Sequence, residues 1–180
     1  MTERRNGAMR IKRIALLGVL TAAAVVLSWV EYLIPFDFGV PGIKLGLANV
    51  AVVFALYRLG LGDAVVISLV RILISGFAFG GVTGIFYSLC GGFLSLAVML
   101  ILKKCRFSVI TVSASGGVAH NIGQIACAVV LTETLEVSAY LPVLMLSGIL
   151  TGVLIGVIAG IIIKRIEIKD NVQNNQKKDT

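Results

Sequence analysis

Seven polar or charged residues lie inside or at the edges of long apolar runs in this 180-residue chain. They are Glu31, Lys44, Asn49, Arg71, His120, Asn121 and Gln124. An ionisable side chain within a membrane-spanning helix is costly and usually faces a partner or a water-filled cavity. The set combines two cations, one carboxylate, one imidazole and three amides. We predict these residues as a ligand-binding set for an anionic or strongly polar molecule.

Arg71 lies near the middle of the third apolar run and allows two interpretations. An arginine at a helix centre costs about 2.5–3.5 kcal/mol on insertion scales, so it needs compensation. In one interpretation Arg71 forms an ion pair with Glu31, which lies near the outer end of the first run. In the other it faces a cavity and binds an anion.

His120, Asn121 and Gln124 fall within five residues of one another in the fifth run. His120 and Gln124 are four apart and therefore share a helix face. The alternative is that they only hydrogen-bond a neighbouring helix. Lys44 and Asn49 are five apart, so an ideal helix does not place them on one face, and Lys44 can also extend to the membrane interface.

The elements that must position these residues are membrane spans. Apolar residues make up 58% of the chain and charged residues only 14%, which excludes ordinary soluble and disordered classes. A span needs about 20 residues. We predict an all-α integral membrane protein with a bundle of six transmembrane helices, at 14–34, 43–58, 61–80, 83–102, 108–131 and 139–163.

The charges indicate the orientation of the spans. With six spans, 14 of the 16 Lys and Arg residues lie on the side of both tails, which predicts cytoplasmic termini in a bacterial cytoplasmic membrane. The basic residues do not cluster with aromatics as in a nucleic-acid surface. We therefore expect a basic segment at 1–13, a single membrane domain at 14–165 and a polar tail at 166–180. A cleaved signal peptide is the alternative for the first run, which is longer than the apolar core of about 7–15 residues in such signals.

Small residues recur at four-residue spacing in two of the spans. Gly148, Gly152, Gly156 and Gly160 form a ladder in the last span. Small residues on one helix face let helix backbones approach closely, so the ladder predicts helix packing. Gly18, Ala22 and Val26 repeat the spacing in the first span, where the alternatives are internal packing or docking of another membrane subunit.

The sequence lacks the motifs of an independent enzyme. It has no G-x-x-x-x-G-K-[ST] loop for nucleotide phosphates and no paired aspartates for a magnesium-diphosphate site. Its three cysteines form neither a C-x-x-C pair nor a tetrahedral zinc pattern. We predict no catalytic residues, no metal site and no intrinsic cofactor.

Several segments resemble the Gx transporter family, whose members are often labelled heptaprenyl diphosphate synthase component I. They are PGIKLGLANVAVVFALY (41–57), Arg71, YSLCGG (87–92) and HNIGQ (120–124). The family is similar to the substrate-binding S components of energy-coupling factor (ECF) transporters. The resemblance implies a six-helix fold, a vitamin-like ligand near the outer face, and docking through the first helix onto membrane and ATPase partner subunits. The docking face would be Gly18, Ala22 and Val26, although the usual pattern has alanine at the first two positions.

The functional prediction is a membrane-embedded substrate-binding subunit for uptake of a small, anionic, vitamin- or isoprenoid-like molecule. A first alternative is a non-catalytic membrane component associated with heptaprenyl diphosphate or menaquinone synthesis. A second is a membrane component of a flavin-linked extracellular electron-transfer system. In these alternatives we expect a flavin or quinone bound to the protein.

Overall fold

The protein is all-helical in the residues described by this computed structural model. The backbone is described for residues 2–33 and 46–176, and the side chains for 10–33 and 46–168. The described chain forms α1 (Thr2–Leu33), α2 (Asn49–Arg58), α3 (Leu61–Ser75), a π-helical segment (Gly76–Gly80), α4 (Gly81–Lys104), α5 (Val109–Thr132), a 3-10 turn (Glu136–Tyr140) and α6 (Leu141–Gln176).

Four apolar helical stretches are long enough to cross a membrane: Arg10–Leu33, Leu61–Lys104, Val109–Thr132 and Glu136–Ile168. The second has 44 residues and contains both α3 and α4, which pack against each other. Gly81 has a φ of +72° at the start of α4, a conformation that glycine adopts without the steric cost of a side chain. Five of the predicted spans thus correspond to these stretches in a multi-pass membrane protein.

The helix at the second predicted span is shorter than the prediction of 43–58. Residues 43–45 lie outside the described part, and α2 has 10 residues, about 15 Å at 1.5 Å per residue. A turn precedes it, in which the Asn49 backbone N donates to Gly46 O at 2.8 Å. Six membrane crossings therefore stay a prediction.

α2 lies at the centre of the apolar core. Residues 51–56 are all buried, and α2 packs against α1, α3 and α6. A helix that is apolar on every side is expected in such a position. The outer surface of the bundle is also apolar, with Phe77, Phe93 and Val130 each at least 74% exposed. This surface matches a protein surrounded by lipid.

The glycine ladder packs α6 against α5, as predicted, except at one end. A Cβ on Gly152 would lie 2.6 Å from the Ala114 Cα, and one on Gly156 would lie 2.7 Å from the Ile110 Cα. Gly148 contacts the backbone of Gly117 in the same way. Gly160 has no such neighbour within 4 Å.

Ion pairs join the helices at the end of the bundle that carries the tails. Arg13 Nε donates to Asp63 Oδ2 at 3.0 Å and its Nη2 donates to Oδ1 at 2.7 Å, which links α1 to α3. Asp63 is only 6% exposed, although the sequence analysis gave it no role. Arg58 of α2 lies 3.5 Å from the Glu167 carboxylate of α6. These pairs fix the C-terminal end of α2 and the N-terminal end of α3 against α6 and α1.

Candidate ligand-binding site

A cavity of about 130 Å³ lies between α1, the segment before α2, α3, α4, α5 and α6. Its lining includes six of the seven residues predicted from the sequence: Glu31, Asn49, Arg71, His120, Asn121 and Gln124. Lys44, the seventh, lies outside the described residues. The fold therefore brings together, in one cavity, side chains separated by up to 93 positions in the sequence.

The cavity occupies the half of the bundle away from the tails. Arg71 lies eight residues beyond Asp63, about 12 Å along α3 at 1.5 Å per residue. On α1, Glu31 lies eighteen residues beyond Arg13, about 27 Å along the helix. If the tails are cytoplasmic, as predicted, the cavity belongs to the outer half of the membrane.

Arg71 is the only lysine or arginine among the described residues that line the cavity, and its guanidinium is only partly compensated. Its Nη2 donates to Asn49 Oδ1 at 3.4 Å, a long hydrogen bond. Its Nε is buried and has no hydrogen-bond partner among the described residues. The sequence spacing gave no reason to join Arg71 to Asn49, because the two side chains come from different helices.

Glu31 lines the same cavity, and one of its hydrogen bonds joins it to the turn before α2. The carboxylate accepts a hydrogen bond from the backbone N of Gly46, in the turn that precedes α2. Its negative charge also acts on Arg71. Glu31 therefore helps to hold the turn that positions Asn49. Arg71 contacts the Asn49 side chain directly, through its Nη2.

Two serines complete a group of donors around Arg71. Ser75 follows Arg71 by one helical turn and so shares its face of α3, while Ser28 approaches from α1. Both hydroxyls are buried without a hydrogen-bond partner among the described residues. Buried polar groups nearly always have a partner, so these three unpaired groups indicate a site for water or a ligand. Neither serine was predicted from the sequence, although the i, i+4 spacing from Arg71 could have identified Ser75.

The polar face of α5 reaches the cavity because glycines bring α4 and α6 close to it. A Cβ on Gly91 would lie 2.7 Å from the backbone O of His120 and 2.9 Å from Gln124 Cγ. Asn121 Nδ2 donates to the Leu144 backbone O of α6. Asn121 thus has a structural hydrogen bond, as the alternative interpretation expected, in addition to its place in the cavity lining.

Aromatic side chains form part of the cavity wall. Tyr32 of α1 and Phe79 of the π-helical segment both line the cavity, and their ring centroids are 5.1 Å apart with planes tilted by 35°. Such a pair is typical of favourable aromatic contacts. Gly80, Gly84 and Ser88 line the cavity as well and leave room for its volume.

Residues 20–162 match the sequence model of a family described as heptaprenyl diphosphate synthase component I. The chain belongs to this family. It is similar in fold to a solved protein described as the S component of a bacterial ECF transporter, with 23% sequence identity and a TM-score of 0.54. The match covers 93% of this chain and 99% of that one. No curated protein matches the sequence.

In this member of the heptaprenyl diphosphate synthase component I family, the small-residue face of α1 does not pack inside the bundle. Gly18, Ala22 and Val26 are all exposed, and Val26 is 55% exposed. A Cβ on Gly18 would meet nothing within 4 Å. The internal-packing interpretation of this face is therefore wrong, and docking of another subunit stays a prediction.

Within the described residues no group of three or more His, Cys, Asp or Glu side chains is arranged to hold a metal ion. The cavity is instead a set of hydrogen-bond donors and acceptors around one guanidinium. Such a set can bind and orient a polar molecule.

Proposed function

We propose that this protein is a membrane-embedded substrate-binding subunit that takes up a small molecule carrying an anionic group. The observation that carries the proposal is that Arg71, Ser28 and Ser75 line one cavity and that each has a buried polar atom without a hydrogen-bond partner among the described residues. A guanidinium has donors only, and a hydroxyl can donate to an oxyanion. A carboxylate or phosphate oxygen would satisfy these groups together.

The rest of the cavity fits a ligand with further polar groups and a flat apolar part. His120 and Gln124 offer donors and acceptors on one face of α5, and Tyr32 and Phe79 offer aromatic surface in the cavity wall. A vitamin- or isoprenoid-like molecule combines these properties. A bound flavin or quinone also belongs to this class of ligand.

Uptake needs an energy source that this chain does not encode in a phosphate-binding loop. We propose that membrane and ATPase partner subunits supply it and that they dock on Gly18, Ala22 and Val26. Exposed small residues allow a partner helix to approach the α1 backbone closely. Both termini would then lie in the cytoplasm, on the side of the ATPase.

The family description favours a second candidate, a non-catalytic membrane component associated with heptaprenyl diphosphate or menaquinone synthesis. A role in flavin-linked extracellular electron transfer is the third. The three candidates differ in what accompanies the protein. ATPase subunits support uptake, a soluble prenyl synthase supports the second, and a redox cofactor without ATPase subunits supports the third.

The test is purification of the full chain in mild detergent, followed by mass spectrometry of co-purifying proteins and extracted small molecules. Arg71→Ala is compared with Arg58→Ala, which removes a cation at the opposite end of the bundle. We expect Arg71→Ala to weaken anion binding by about 1.5–3 kcal/mol, the value of a hydrogen bond to a charged group. Arg58→Ala should retain the anion. Equal retention by both variants would contradict the assignment of Arg71.

A further inference from the structure

A second opening, separate from the polar cavity, is an apolar groove between α3 and α4. It encloses about 470 Å³, and its walls include Leu61, Val65 and Leu69 of α3 and Phe93, Ala97 and Leu100 of α4. Phe93 is 80% exposed, so the groove opens onto the outer surface of the bundle. Ile72 lines both spaces.

The groove has room for a ligand because small residues of α4 form part of its wall. Gly92 and Ala97 line the groove between larger neighbours, and a Cβ on Gly92 would lie 3.3 Å from Ile72 Cδ1. An empty apolar groove of this volume forfeits contacts that a close-packed interior would make. In a surface that faces lipid, a hydrocarbon chain can supply those contacts.

The length and position of the groove match one leaflet of a bilayer. Its α3 wall runs from Leu61 to Ile72, eleven residues or about 16 Å along the helix. Half of a hydrocarbon core of about 30 Å is about 15 Å. The groove begins at the end of the bundle that carries the tails, since Leu61 is the first residue of α3. It therefore lies in the leaflet on the side of the tails.

A cation stands at the interfacial end of the groove. Lys104 follows Leu100 by one helical turn on the same face of α4, and it is exposed. The acidic residue near this end, Asp63, is already paired with Arg13. The charge of Lys104 thus remains available to a negative group at the membrane surface.

We propose that this groove binds one acyl chain of an anionic phospholipid, with the lipid phosphate at Lys104. The apolar walls accommodate the chain, and the cation selects the headgroup. This site is distinct from the polar cavity, because the two share only Ile72 among their described lining residues and the groove lining is almost wholly apolar.

The test is native mass spectrometry of the full chain in detergent with equimolar dioleoyl phosphatidylglycerol and dioleoyl phosphatidylcholine. We expect one retained phosphatidylglycerol per chain. Ala97→Trp fills the groove and should abolish retention, whereas Ile101→Trp changes an exposed position of α4 outside the groove lining and should not. Leu69→Trp fills the groove from α3 and serves as the second variant if Ala97→Trp does not fold.

Lys104→Gln tests the headgroup contact. It should lower the ratio of bound phosphatidylglycerol to phosphatidylcholine about fivefold, as expected for one lysine near an anionic surface. Arg106→Gln, a change in the adjacent loop, should leave the ratio unchanged. Equal binding of the two lipids by the unmodified chain, or retention of phosphatidylglycerol by a folded groove-filling variant, would overturn the proposal. Displacement of the lipid by equimolar farnesyl diphosphate would also overturn it, because the groove would then belong to an isoprenoid diphosphate.

Discussion

Replacing Gly152 with alanine measures how closely α5 and α6 must pack to form the wall of the cavity. The added Cβ would lie 2.6 Å from the Ala114 Cα and 2.8 Å from the Ser113 backbone O. Carbon atoms in favourable contact are about 3.5–4.0 Å apart, so the helices must separate by about 1 Å. Backbone atoms cannot turn aside as a flexible side chain can. The strain must therefore be taken up by movement of a whole helix.

The expected size of the effect follows from two opposing terms. Overpacking of a close contact costs about 1–3 kcal/mol, while alanine gains about 1 kcal/mol over glycine in helix propensity. Gly160→Ala is the matched control, because it changes the same helix at a position with open space within 4 Å. The propensity gain cancels between the two variants. We expect Gly152→Ala to have a free energy of unfolding about 1–3 kcal/mol lower than that of Gly160→Ala.

The measurement is reversible unfolding in mixed micelles of mild detergent and dodecyl sulfate, followed by circular dichroism. Gly152→Leu and Gly156→Leu extend the series and should lower the yield of folded protein. If Gly152→Ala is as stable as Gly160→Ala, the contact between α5 and α6 can relax without cost. The reasoning from backbone proximity would then be refuted.

Three further predictions concern charges. Arg71→Ala and Glu31→Ala should each keep the folded yield of the unmodified protein, because the two side chains have hydrogen bonds to different groups. Low yields of both single variants, with recovery in the double variant, would show that the two form an ion pair. Arg13→Gln should lower the melting temperature more than Asp63→Asn, because it leaves a buried carboxylate unpaired. The reverse order would show that an unpaired Asp63 carboxylate is not the main cost of breaking the pair. A single cysteine at position 104, on a cysteine-free background, should resist a membrane-impermeant maleimide in intact cells, and labelling there would overturn the predicted topology.

Much of the candidate site could be predicted from the sequence because the membrane makes polar residues conspicuous. Arg71 and His120 each lie near the middle of an apolar run, so packing the runs side by side brings them to similar depth. They lie on one cavity because they are at a similar depth in the membrane and because exposing either side chain to lipid is costly. Ser28 gave no such signal, since a serine costs little in a helix and occurs there without a functional role. Ser75 is marked only by its four-residue spacing from Arg71.

The contacts across helices could not be predicted, because they depend on how the helices rotate against one another. The bond from Arg71 to Asn49 joins α3 to the first residue of α2. The five-residue spacing of Lys44 and Asn49 does not indicate which other helix Asn49 faces. The second span was overestimated for a related reason. The apolar run continues through the turn at Gly46, and composition alone does not show where the helix begins.

Small residues at four-residue spacing show the limit of such patterns most clearly. In α6 the pattern marks contact with α5, and Gly152 and Gly156 touch its backbone. In α1 the same spacing at Gly18 and Ala22 marks an exposed surface, and a Cβ on Gly18 would meet none of the described residues within 4 Å. The pattern specifies that a helix backbone can approach closely, but it does not specify whether the approaching helix belongs to this chain. Only the fold shows that this face of α1 is exposed and is therefore a candidate for docking rather than for internal packing. A cross-link from Gly18→Cys to a partner subunit would identify the helix that approaches it.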